Sequence, residues 1–177
     1  IGGSLSLVGA ITPKLDAKIK AGWAEPVFAT ELESEAEGFI GNIQLGYKMN
    51  RAFEFNIAAG KDIKPSPLFT FYRDLYATAG ILMRLGTQIA FHLKLETKSI
   101  EFAKPTNASS SYTQRNDVTI QPSASVSYFL ADWFTISLET RVENRDTGIY
   151  TNPYQTSEIS DSSYTSFDGF IQLTMQY

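Results

Sequence analysis

The single histidine among 177 residues stands in a run of polar side chains two residues apart: His92, Lys94, Glu96 and Lys98, with Ser99 and Glu101 just beyond. Such residue types could serve hydrolysis, which needs a nucleophile, a base and an orienting group held together. Here the spacing strings them out along an extended chain instead of gathering them at one point. No catalytic residue is assigned, and no enzymatic activity is expected. A metal centre is equally unsupported, because there is no second histidine and no cysteine. The acidic stretch Glu31, Glu33, Glu35 and Glu37 lacks the glycine and ligand spacing of a calcium loop. No cofactor is expected.

The chemistry that remains is non-covalent, and it is organised by a period of two. "IAFHLKLETKS" sets Ile89, Phe91, Leu93 and Leu95 against His92, Lys94, Glu96 and Lys98. "LDAKIKAGW" sets Leu15, Ala17, Ile19, Ala21 and Trp23 against Asp16, Lys18 and Lys20. The same alternation runs through "FIGNIQLGYKM", "FEFNIAA", "LYATAGILMRL", "VTIQPSASVSYFL", "FTISLETRV" and the closing "FIQLTMQY". A helical period of 3.6 fits none of these windows. With "SLSLVGAI" near the start they make about nine strands. Twelve Phe and nine Tyr agree with a β composition. No apolar run reaches the ~18–20 residues of a spanning helix. A net charge of −4 gives no basic field for nucleic acid.

The connections alternate in length. "TPK", "NRA", "GTQ" and "ADW" read as tight hairpins. The other connections, among them "EPVFATELESEAEG" and "EFAKPTNASSSYTQRND", are long and polar. The pattern predicts an up-and-down antiparallel meander whose two ends differ. A soluble sandwich or barrel also alternates, but its apolar face needs a second layer, and no helix or further sheet is legible here. Strands of roughly ten residues suit a tilted bilayer crossing. Trp23, Phe39, Tyr47, Phe53, Tyr128, Trp133 and Tyr177 fall near strand ends, where an aromatic girdle would lie. The expected fold is all-β, an antiparallel up-and-down transmembrane β-barrel.

On that expectation the polar stripe lines a lumen: Lys18, Lys20, Lys48, Glu54, Arg84, His92, Lys94, Glu96, Lys98, Gln121, Ser125, Glu139, Arg141 and Glu143. Opposite charges on neighbouring strands can pair and brace the wall. Thr119, Gln121, Ser123, Ser125 and Ser127, with Thr135 and Ser137, add neutral hydrogen-bonding groups. Two local conflicts stand out. Pro122 sits inside a strand, which predicts a bulge or a later strand start. An odd strand count does not suit a single-chain bacterial barrel. It predicts either that Ile1 is not the mature N-terminus, the chain being the C-terminal part of a larger barrel, or that a strand is split or missed in "SPLFTFYRDLY".

The tail resembles the C-terminal recognition signal of bacterial outer-membrane β-barrel proteins, through Tyr177, Met175, Leu173 and Ile171, with Gly169 in phase. That resemblance implies recognition by the barrel assembly machinery. "ITPKLDAKIKAGW" and "SYFLADWFTISLETRVENRDTGIY" followed by "FDGFIQLTMQY" resemble porin-like barrels encoded with exopolysaccharide synthesis and export systems. The implied location is the bacterial outer membrane. The implied partners are outer-membrane lipid and lipopolysaccharide, with polysaccharide or other outer-membrane proteins. The expected function is a passive pore or conduit for polysaccharide or small polar solutes. The alternative is a plugged scaffolding barrel whose loops dock partner proteins.

Overall fold

Four short turns set the frame. In one of them Asn50 Oδ1 accepts hydrogen bonds from the backbone amides of Ala52 (2.8 Å) and Phe53 (2.9 Å), closing an Asx-type turn. In another Gly86 takes a φ of 64°, which a side chain would resist. A computed structural model describes residues 2–25, 38–65, 71–102, 114–131, 133–150 and 163–175.

These residues form nine strands: β1 (Gly2–Thr12), β2 (Leu15–Ala24), β3 (Gly38–Lys48), β4 (Phe53–Pro65), β5 (Phe71–Leu85), β6 (Ile89–Phe102), β7 (Gln114–Ala131), β8 (Phe134–Tyr150) and β9 (Tyr164–Met175). They make one sheet in strict chain order, every pair antiparallel. The stretch "FYRDLY" belongs to β5, so it holds no extra strand. Among the described residues the sheet is open: β1 and β9 each pair on one side only. Both are odd in the count, so they run in the same direction.

The two faces are sharply different. Paired residues keep their side chains on one face, so a row can be followed across the sheet. Glu54, Leu82, His92, Ser125, Glu139 and Phe170 form one such row. Phe55, Ile81, Leu93, Ala124, Thr140 and Gly169 form the next, on the other face. Among the described residues the only buried hydrophobic side chain is Ala90, while Asp74, Asp117, Thr119 and Thr147 are buried. Leu93 and Leu95 are 47% and 49% exposed, whereas the side chain of Glu96, next along the strand on the other face, is 13% exposed. Crowded polar side chains and splayed apolar ones are the pattern of a sheet curled toward its polar side.

The apolar face has a measurable height. On β5 it runs from Leu85 to Leu75, ten steps or about 33 Å of strand, and about 25 Å if tilted as barrel strands are. Beyond it comes the Arg73–Glu101 ion pair, at 3.9 Å. Trp23 pairs with Phe39 at the end of the sheet opposite the short turns. Tyr47, Phe53, Tyr128 and Trp133 lie near the short turns, and all six rings are exposed.

Two expectations are corrected. β7 runs through Pro122 without a bulge. Pro122 pairs with Leu95 on β6, and the β7–β8 ladder lapses after Ile120–Asn144 and resumes at Ser123–Arg141 in the same register. The missing proline N–H therefore falls on the β8 side, where it removes pairing without shifting it. The register irregularities lie elsewhere, beside turns, between Ala10 and Thr12 and between Phe129 and Ala131. Second, most strands from β4 onward extend well past the alternating windows at the long-connection end, β8 as far as Tyr150.

Candidate functional site

The polar face contains a trough whose shape follows from side-chain length. β7 contributes short side chains there, Ser123 and Ser125. Its neighbours contribute long ones. Lys94 and Arg141 flank Ser123, and His92 and Glu139 flank Ser125. Short residues between long ones leave a recess of about 390 Å³, lined toward the long connections by Gln121, Glu96 and Lys98. Gln121 Nε2 donates to Glu143 at 3.2 Å. Toward the short turns the Ser127 and Ser137 hydroxyls lie 2.8 Å apart and bridge β7 to β8.

Charge in the trough is paired, and much of the pairing runs along single strands. Glu96 accepts from Lys94 at 2.5 Å and from Lys98 as well, so one carboxylate holds two ammoniums. Arg141 Nη2 donates to Glu139 at 3.2 Å. The Arg141 guanidinium also lies 5.5 Å from the Phe170 ring centroid, a cation–π distance. Pairs between strands brace the sheet on the β2–β5 side of the trough: Lys48–Asp16 at 2.8 Å and Arg84–Glu54 at 3.7 Å, nearer the short turns. Lys18 and Lys20 face the neutral Gln44 and Asn42.

All fourteen residues read as a polar stripe lie on this one face, by the register of the eight ladders. The trough gathers His92, Lys94, Glu96, Lys98, Gln121, Ser125, Glu139 and Arg141, with Glu143 bonded to its edge. Lys18, Lys20, Lys48, Glu54 and Arg84 lie apart from it, on β2 to β5. Ser99 is on the opposite face from His92, because it pairs with Leu75 and Val118. No metal-holding cluster exists among the described residues. Gly169, Ile171, Leu173 and Met175 share the apolar face of β9, opposite Thr140, Leu138, Ile136 and Phe134. Tyr177, the acidic stretch Glu31–Glu37 and Asn107 lie outside the described residues.

Sequence reasoning missed a second polar cluster on the same face, toward the long connections. Arg145 binds the fully buried Asp117 through two nitrogens. Lys64 binds the buried Asp74 at 2.7 Å, and the Tyr164 hydroxyl donates to Glu143 at 2.7 Å. Phe170 was also missed, a ring on the polar face. Its signal was present: it breaks the alternation of β9. The opposite face carries a larger hollow of about 640 Å³, in which Phe55, Ile57, Leu93, Leu95 and Val142 stand around small side chains such as Ala79 and Ala124. Thr140 also lines it, and its hydroxyl donates to the Ala124 carbonyl at 3.4 Å.

Comparison of the chain with family models, curated proteins and solved structures returns no match.

Proposed function

We propose that this chain builds the wall of an outer-membrane β-barrel whose polar face lines a water-filled passage for small polar solutes or polysaccharide. The observation that carries it is the inverted pattern of burial. More than thirty large apolar or aromatic side chains are exposed, and they occupy mainly one face. A buried Leu or Phe gains about 1.5–3 kcal/mol over an exposed one. Leaving so many half-exposed to water would forgo tens of kcal/mol, against the ~5–15 kcal/mol that holds a domain folded. Hydrocarbon is the covering that matches a continuous apolar band about 25 Å high with aromatic rings at both ends. A polar inner face lowers the cost of moving hydrated solutes across that band.

In this reading lipid covers the apolar face, and lipopolysaccharide meets the end with the long connections. The barrel assembly machinery reads β9. An all-antiparallel ring contains an even number of strands. Since β1 and β9 run in the same direction, closure takes an odd number of further strands beyond the nine. The test is single-channel conductance of the full-length protein in a planar bilayer. Steady ohmic current is expected; a folded, inserted protein that carries none retires the passage.

One observation favours a second reading. Asp74, Asp117, Thr119 and Thr147 are buried on the polar face toward the long connections. A barrel closed over at that end would act as a scaffold that docks partner proteins. It would insert without conducting, so the same experiment separates the two.

A further inference from the structure

We propose that the β6–β7–β8 trough is a binding subsite for a single oxyanion, a carboxylate or phosphate carried by a monosaccharide-sized solute. The proposal rests on the reading above only for the trough being open to the aqueous passage. Its volume of about 390 Å³ is at the small end of ligand pockets, which run from roughly 300 Å³ upward.

The sign of the ligand follows from what the trough has left over. Three permanent cations, Lys94, Lys98 and Arg141, line it against two carboxylates, Glu96 and Glu139. Both carboxylates are engaged, Glu96 by two ammoniums and Glu139 by the guanidinium. Each ammonium has three donors and the guanidinium five, so donors outnumber the acceptors they meet. The floor adds the Ser123 and Ser125 hydroxyls, which can donate as readily as accept. The Phe170 ring, 5.5 Å from the Arg141 guanidinium, gives that group a cation–π partner beside the trough, and a guanidinium is the group best shaped for a forked contact to an oxyanion. The Lys94, Lys98 and Arg141 side chains keep 39%, 37% and 39% of their surface exposed, so they are reachable without unfolding anything. A cation would meet an excess of positive charge among the lining side chains; the carboxylates of Glu143, bonded to Gln121 and Tyr164, and of Asp168, across the ladder from Arg141, lie outside that lining. A neutral sugar would find hydroxyl partners and gain nothing from the charge.

The experiment is an NMR titration of the full-length protein, refolded in detergent at low ionic strength, with glucose 6-phosphate, glucuronate and glucose. These probes share a ring size and differ in charge. At least tenfold tighter binding of an anionic sugar than of glucose is expected, weakening as salt rises. Whichever anion binds more tightly assigns the group as phosphate or carboxylate. Glu96→Gln frees both lysines and should tighten anion binding about threefold or more, a direction that a purely structural role for Glu96 would not produce. The Lys94→Met, Lys98→Met double variant should weaken it about tenfold and flatten the salt dependence. Glucose binding as tightly as both anions, or anion binding indifferent to the double variant, overturns the proposal. Conductance on the same preparations keeps the two ideas apart. Current without anion binding removes the subsite and leaves the passage; anion binding without current keeps the subsite and retires the passage.

Discussion

Asp117 is fully buried, and it is an acid. Arg145 answers it from the facing strand, itself 24% exposed along the side chain. Removing one partner of a buried pair costs about 3–5 kcal/mol, and the partial exposure of Arg145 lowers that to about 2 kcal/mol. Asp117→Asn should therefore shift the urea unfolding midpoint of the detergent-folded protein clearly downward. Lys48→Met removes a pair whose side chains are 53% and 50% exposed, and should leave the midpoint unchanged. Equal shifts would mean that the rim pair at Asp117 is not a structural clamp. Neither pairing was legible beforehand. A period of two tells which face a side chain takes, but not which neighbour it reaches. Glu96 could have paired across the ladder with Gln121 or Thr78, and it turned along its own strand to Lys94 and Lys98 instead.

At the scale of the strand, β1 is the weakest member. Both its faces are exposed along its whole length, and among the described residues only β2 pairs with it. Gly22 makes that contact possible: a Cβ there would lie 2.4 Å from the Gly3 carbonyl oxygen and 2.9 Å from the Ser4 Cα. Gly22→Val should strip hydrogen-exchange protection from the amides of β1 while β5 to β7 keep theirs. Loss of protection throughout the sheet would instead make β1 a part of one cooperative unit. The strands themselves were the legible part. Wherever one face is apolar and the other wet, the alternation locates the strand, and all four short turns fall where the turn residues stand. It fails toward the long connections, where both faces become polar. Arg73 beside Asp74, Asn116 beside Asp117 and Asn144 beside Arg145 read as loop, although hydrogen bonding carries the strands through them. Pro122 failed for another reason. A proline disrupts a ladder only on the side its missing N–H would face, and that side depends on register.

For the whole molecule, the proposed reading requires the apolar face to meet hydrocarbon. Leu93→Arg puts a charge in the middle of the apolar band, where such substitutions cost about 2–4 kcal/mol in a bilayer. Gln44→Arg puts the same side chain on the polar face, exposed beside Lys18, and should cost little. Refolding yields into vesicles should fall for the first variant and hold for the second; equal losses would contradict a lipid-facing band. The order of the strands carries one more consequence. Among the described residues each strand hydrogen-bonds to its neighbours in the chain, so the sheet approximates a one-dimensional array. No central core has to be repacked when its width changes. A duplicated or deleted hairpin alters one seam, keeps the inside-out pattern of both faces, and preserves the direction of everything that follows. The width of such a sheet is set by counting hairpins, a quantity that selection can change in single steps.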